Sequence, residues 1–186
     1  MLFRSMGELE IAYRISRGNF VAITGTNGKT TTTTLTGEIF KNSGRRTYVA
    51  GNIGTAVISA TTTADENDWL VTETSSFQLE TTRYFRPVVS AVLNITPDHL
   101  NRHRTMEAYA GAKAKVFANQ SGESYLVINP LESERPYRQR PSCRCGTCRS
   151  SSSGRRRARS GLRRSPNRTG NRILHSVRFL PLFTMR

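Results

Sequence analysis

Cysteine is absent from the first 130 residues; all three, Cys143, Cys145 and Cys148, lie beyond them. That absence excludes a disulfide-built secreted domain for the larger part of the chain. No run approaches the roughly 18 apolar residues a membrane-spanning helix needs, so none is expected. The opening Met1-Leu2-Phe3-Arg4-Ser5-Met6 has no apolar core of signal-peptide length, and a cytoplasmic protein is the default. Lysine is missing from residues 131–186, and acidic residues nearly so: 15 arginines there face only Glu132 and Glu134. The first 130 residues hold 13 Lys and Arg against 11 Asp and Glu, so almost all of the net charge of +15 belongs to the last part of the chain. At 186 residues there is room for one ordinary domain, or one and a half.

What is present is concentrated in Gly25-Thr26-Asn27-Gly28-Lys29-Thr30-Thr31. A short apolar run, Phe20-Val21-Ala22-Ile23, precedes it, and residues 32–42 can be helical. Strand, glycine-rich turn and helix start together make a cradle for phosphate, because glycines let backbone N–H groups approach the anion. Lys29 supplies positive charge for the terminal phosphates, and the Thr30 hydroxyl can ligate magnesium. This puts Mg-ATP into the reading. The common spacing G-x-x-x-x-G-K-[ST] would put a glycine at position 23, which is Ile23, so the loop here is shorter.

Further apolar, β-branched runs read as strands at 47–50, 69–72, 88–93 and 125–128. Helical stretches fit at 7–16, 56–62, 80–84 and 106–117. The alternation predicts an α/β fold: a parallel sheet with helices on both faces, of P-loop type. Ligands of such sheets bind beyond the carboxyl ends of the strands, and the polar motifs at 25–31, 51–54, 73–78 and 94–99 fall there.

Two of those motifs, and one lysine on a predicted helix, carry further chemistry. Glu73 at a strand end is a natural ligand for magnesium, though it or Ser75 can equally cap the next helix. In Asn94-Ile95-Thr96-Pro97-Asp98-His99-Leu100, Pro97 stiffens the turn and Asp98 or His99 can face the cleft. A lone histidine is more often structural than a ligand; its place at a strand end favours the metal or substrate reading. Lys113 lies on the predicted 106–117 helix. A lysine there is usually a solvated charge, but beside magnesium an ammonium ion would be repelled, so it would have to be neutralised or chemically modified.

In this order, the motifs at 25–31, 51–54 (Gly-Asn-Ile-Gly), 73–80 (Glu-Thr-Ser-Ser-Phe-Gln-Leu-Glu), 94–100 and Ala112-Lys113 resemble the Mur ligases, the ATP-dependent amide-forming enzymes of peptidoglycan synthesis. Gly7-Glu8-Leu9-Glu10 and Ser75-Ser76-Phe77-Gln78-Leu79 resemble the D-glutamate-adding branch of that family. The resemblance covers about residues 6–130. It implies that the carboxylate of UDP-N-acetylmuramoyl-L-alanine is phosphorylated by ATP and then attacked by the amine of D-glutamate. By match to the family's motifs, Gly25, Thr26, Asn27, Gly28, Lys29, Thr30 and Thr31 would bind ATP. Lys29, Glu73, His99 and Lys113 would be the catalytic set. Thr30, Glu73 and His99 would hold Mg2+, with Lys113 carbamylated at the metal site, and Asn52, Ser75 and Gln78 would contact the muramoyl substrate. Asn101 stands where the family often has aspartate. The resemblance further implies a linker stub at 1–18 from an amino-terminal domain, a truncated central ATP-binding domain at 19–130, a monomer without membrane contact, and no turnover by this chain alone. The alternative enzymes are another Mur ligase or a folylpolyglutamate synthase, which shares the loop and the acyl-phosphate logic.

Residues 131–186 resemble nothing in that family. Their Arg, Ser and Pro bias predicts a disordered tail. It is the bias expected of GC-rich coding sequence read in a shifted frame from about residues 130–134. Two other readings of the tail are a nucleic-acid-binding arm at 151–164 and a zinc site on Cys143, Cys145 and Cys148, which lacks a fourth ligand.

Overall fold

The structure is a computed structural model and describes residues 6–128, 164–166 and 172–175. Five strands form its frame: β1 (Asn19–Thr24), β2 (Thr47–Gly51), β3 (Trp69–Glu73), β4 (Val89–Val92) and β5 (Tyr125–Ile128). They lie in the order β2-β3-β1-β4-β5, and all their pairings are parallel. Six α-helices accompany them: α1 (Glu8–Ile15), α2 (Lys29–Asn42), α3 (Val57–Thr61), α4 (Ser76–Glu80), α5 (Leu100–His103) and α6 (Met106–Ala114), the last running into a 3₁₀ turn at Lys115–Phe117. This is the predicted α/β architecture.

Side-chain alternation along the strands explains the layering. Phe20, Ala22, Ala50, Leu70 and Val92 face one side, where Leu9 and Ala12 of α1, Val57 and Ala60 of α3, Leu79 of α4 and Tyr109 of α6 cover them. Tyr13, Phe20 and Phe85 meet edge to face there, with centroids 5.5–5.8 Å apart, the geometry ring quadrupoles favour. Val21, Ile23 and Val71 face the other side and pack with Phe40 of α2 and with Trp69. Gly37 lets α2 settle close to the sheet, because a Cβ there would strike Val49.

The chain leaves β1 toward β2 on one side and leaves β4 toward β5 on the other. Connections that part in this way open a crevice at the carboxyl ends of neighbouring strands. Aligned register puts Gly51 level with Glu73 and Ile23, and Thr24 level with Val92 and Ile128, so the motif-bearing ends share one edge.

Two departures from expectation have physical causes. The helix expected at 80–84 lies earlier, at Ser76–Glu80. Ser75 and Gln78 form a reciprocal capping box that starts it, and beyond it the backbone N–H groups of Arg83, Tyr84 and Phe85 turn to the carboxylate of Glu10 instead of continuing a helix. Within the segment expected to be disordered, two short strands extend the sheet: β6 (Arg164–Pro166) and β7 (Arg172–His175). β7 pairs parallel to β5, pairing Ile173 with Leu126 and Leu174 with Val127, and β6 pairs antiparallel to β7. The open edge of β5 offers unpaired backbone groups, and β7 takes them up. The rest of 131–186, including the three cysteines and the 151–164 arginine cluster, lies outside the described residues.

Candidate nucleotide site at the carboxyl edge of the sheet

The 25–31 loop leaves β1 and enters α2 through Gly28, whose φ of 78° is left-handed and suits glycine. No side chain caps α2, so its first N–H groups remain available to an anion. Asn94, two residues past β4, braces the loop from the side. Its Oδ1 accepts from the N–H groups of Thr26 (3.0 Å) and Asn27 (2.8 Å), and its Nδ2 donates to the Asn27 carbonyl (3.0 Å). The Thr26 hydroxyl accepts from the Thr96 N–H at 3.0 Å and lies 3.2 Å from the Tyr109 hydroxyl. The loop is therefore braced from the segment after β4 and from α6; the N–H groups of Thr26 and Asn27 are spent on that bracing, while the start of α2 carries no side-chain cap. Asn94 was legible only as part of a strand-end motif, and Tyr109 gave no signal in the sequence.

Lys29 folds over this loop, its Nζ donating to the Thr26 carbonyl at 2.8 Å. The Thr30 hydroxyl donates to Glu73 Oε2 at 2.8 Å, and Asn52 Nδ2 approaches Glu73 Oε1 at 3.3 Å. Gly51 permits this. Its φ is 113°, and a Cβ would land on the Glu73 carbonyl oxygen. Glu73 is buried, so its two oxygens meet a hydroxyl and an amide rather than bulk water.

Lys113 is also buried, reaching from α6 under the loop. Its Nζ donates to the Gly25 carbonyl at 2.7 Å and sits 4.7 Å from the Tyr109 ring centroid. Burial first, and the Lys29 charge second, lower its pKa to about 8, against opposing attraction from Asp98 and Glu73. The same burial raises the Tyr109 phenol.

His99 stands apart from this cluster. It is exposed, its ring lies 5.0 Å from Phe77, and its Nε2 is 3.4 Å from Asp98 Oδ2. Among the described residues no hydrogen bond or ion pair joins it to Thr30, Glu73 or Lys113. Its φ of 51° is left-handed, a conformation costing a side-chain-bearing residue about 1 kcal/mol or more. Ser75 and Gln78 are engaged with each other: Gln78 Oε1 accepts from the Ser75 N–H at 3.0 Å, and Ser75 Oγ accepts from the Gln78 N–H at 3.2 Å. The capping role weighed for Ser75 is real.

The donor set fits a hard divalent cation. Thr30 and Glu73 supply two oxygens within reach of one another beside an anion-binding helix start. Among the described residues no three His, Cys, Asp or Glu side chains cluster as a closed metal cage.

Residues 23–169 match the Mur ligase middle domain. The chain belongs to the Mur ligase family. UDP-N-acetylmuramoylalanine--D-glutamate ligase of Alkaliphilus oremlandii is 61% identical over 124 residues, which is 67% of this chain and 27% of that protein. The enzyme of the same name from Caldanaerobacter subterraneus is 58% identical over 124 residues, 67% of this chain and 28% of that protein. The chain thus spans little more than a quarter of the length of these curated relatives. Among solved structures, MurF ligase from Thermotoga maritima in complex with ADP superposes with a TM-score of 0.53 at 22% identity, over 69% of this chain and 32% of that one. E. coli FolC in complex with DHPP and ADP superposes with a TM-score of 0.50 at 14% identity, over 73% of this chain and 43% of that one. At those identities the superpositions establish the Mur ligase fold and nothing finer. Among the described residues, no helix is long and apolar enough to cross a membrane.

Proposed function

We propose that this chain is the Mg-ATP-binding core of a Mur ligase that joins D-glutamate to UDP-N-acetylmuramoyl-L-alanine. The observation that carries the reading is the Thr30–Glu73 contact at 2.8 Å, set between Lys29 and an uncapped helix start. Similarity to two curated D-glutamate ligases, at 61% and 58% identity, supports the choice of substrates.

The loop N–H groups and Lys29 hold the phosphate chain and meet the charge that develops on the transferred phosphoryl group. Thr30 and Glu73 would hold magnesium, which supplies neutralisation of phosphate charge when bound. His99 is assigned to a second metal position, and Asn52, Ser75 and Gln78 to the muramoyl substrate. Lys113, with a pKa near 8, presents a neutral amine at mildly basic pH, the form that reacts with carbon dioxide. Carbamylation would turn a buried cation into an anionic group beside the metal.

The test is titration of the 186-residue protein with ATP, with and without Mg2+. Binding is expected to depend on Mg2+, to fall by tenfold or more in Lys29→Ala, and to lose its Mg2+ dependence in Thr30→Val. Mg2+-independent binding that survives Lys29→Ala would overturn the assignment. Amide formation is proposed for the enzyme containing this core. The chain alone is expected to release no phosphate in response to both carbon substrates, because it spans 27% of its relative.

A further inference from the structure

We propose that His103 is a positioning residue that holds His99 in its left-handed conformation. The inference rests on the assignment of His99 to the metal site. His99 and Arg104 are the two non-glycine residues with positive φ among the described residues, at 51° and 66°. They bracket the single turn of α5. The N–H of His103 donates to the His99 carbonyl at 3.0 Å, closing the turn through the backbone. The His103 ring is buried between α4 and α6. Its Nδ1 lies 3.1 Å from Glu80 Oε1, and its Nε2 lies 2.9 Å from Ser76 Oγ, itself buried. A carboxylate only accepts, so Nδ1 carries a proton, and the Ser76 hydroxyl donates to Nε2 in the neutral ring. The ring also stacks on Phe77, 8° from parallel with centroids 5.5 Å apart, and meets Tyr109 at 5.2 Å.

Other ties to α4 are weaker. Arg102 reaches Glu80 at 3.0 Å, but its side chain is largely exposed, and exposed pairs contribute little. Phe77 touches the His99 ring only from an exposed position. His103 is the buried and doubly hydrogen-bonded link. What it links is informative. α4 begins three residues after Glu73 and is fixed by its own capping box, so His103 sets the turn carrying His99 against the segment carrying Glu73. The Ser76–His103–Glu80 chain resembles a nucleophile–base–acid relay in outline, but its serine, the first residue of α4, is buried and has no access to a substrate. Its use is mechanical.

The test uses the isotope-labelled full chain in three variants. His103→Phe keeps the stacking and removes both ring hydrogen bonds. Ser76→Ala removes one of them. Thr105→Ala removes the hydroxyl that accepts the Ala108 N–H at the start of α6, disturbing the neighbourhood without touching the link. The first readout is φ at residue 99, from its Cα and Cβ shifts and its HN–Hα coupling. The second is broadening of the His99 ring resonances by Mn2+ with ADP. In His103→Phe residue 99 is expected to lose its left-handed signature, and the Mn2+ midpoint to rise about tenfold, as on loss of outer-shell support. Ser76→Ala shifts both in the same direction, and Thr105→Ala shifts neither. A folded His103→Phe or Ser76→Ala protein that keeps the left-handed signature overturns the proposal, whatever the metal does. If His103→Phe does not fold, Ser76→Ala decides. A wild-type His99 ring untouched by Mn2+ removes its metal role instead, and the positioning claim is still judged by φ.

Discussion

Replacing Glu10 tests how the first helix is fastened to the sheet. Its side chain is fully buried, yet it is surrounded by donors. Oε2 accepts from the N–H groups of Arg83 (2.9 Å), Tyr84 (3.1 Å) and Phe85 (3.2 Å), and Oε1 accepts from Arg14 Nε at 2.9 Å. Burial pushes this carboxyl's pKa up, but the Arg83, Arg14, Tyr84 and Phe85 hydrogen bonds together outweigh it and leave the pKa below the ordinary 4.5. Glu10→Ala deletes every acceptor. Water can reach the N–H groups of Arg83 and Tyr84, which are exposed residues, but not that of buried Phe85. One orphaned donor plus the lost charge-assisted bonds gives about 3–4 kcal/mol of destabilisation. Glu10→Gln keeps a carbonyl for the three N–H groups and turns an amide donor toward Arg14, a half-exposed partner, for a loss of about 1–2 kcal/mol. The pH signature follows from the depressed pKa. The native state holds its proton less tightly than the unfolded chain, so the carboxylate's contribution is present above pH 4.5 and is lost as pH falls through the lower native value. Urea unfolding at pH 7 should rank wild type above Glu10→Gln above Glu10→Ala. As pH falls below 4.5 and through the lower native value, wild type should lose stability that Glu10→Gln never had. A Glu10→Gln protein as stable as wild type at pH 7, with a parallel acid limb, would refute the argument.

Lys113 gives the opposite limb. Its pKa near 8 against an ordinary 10.5 means the unfolded chain binds the extra proton, so stability should rise from about pH 8 to 10.5; Lys113→Met should flatten that slope in denaturant titrations. Gly51→Ala combines a left-handed φ with a Cβ on the Glu73 carbonyl, and should lower unfolding free energy by about 2–3 kcal/mol. An unchanged midpoint would show that β2 can shift to accommodate it.

The sheet was readable because its strands are short apolar runs closed by polar, glycine-bearing turns, and periodicity reports burial directly. Residues 20–24 and 125–128 match their strands for that reason. Local pattern failed where long-range bonds decide. Residues 80–84 carry enough helical propensity to be read as a helix, but Glu10, more than 70 positions earlier, takes three of the N–H groups that a helix would use. α5 was missed because a one-turn helix has no periodicity to read. β7 was missed because parallel pairing to β5 depends on an open edge, which no window of sequence displays.

The site divides along the same line. Lys29, Thr30 and Glu73 were legible because their chemistry is local to a loop and a strand end, and the parallel sheet delivers those ends to one edge. Lys113 was legible only as a difficulty: a cation near a metal must be neutralised. Desolvation is the leading cause of its lowered pKa and Lys29 the next. Lys29, proposed to hold phosphate, therefore makes the buried lysine easier to deprotonate. A site with one fewer cation would hold Lys113 more firmly protonated. Lys29→Ala is thus expected to raise the Lys113 pKa as well as weaken phosphate binding, so the two lysines act as a coupled pair rather than as separate entries in a motif.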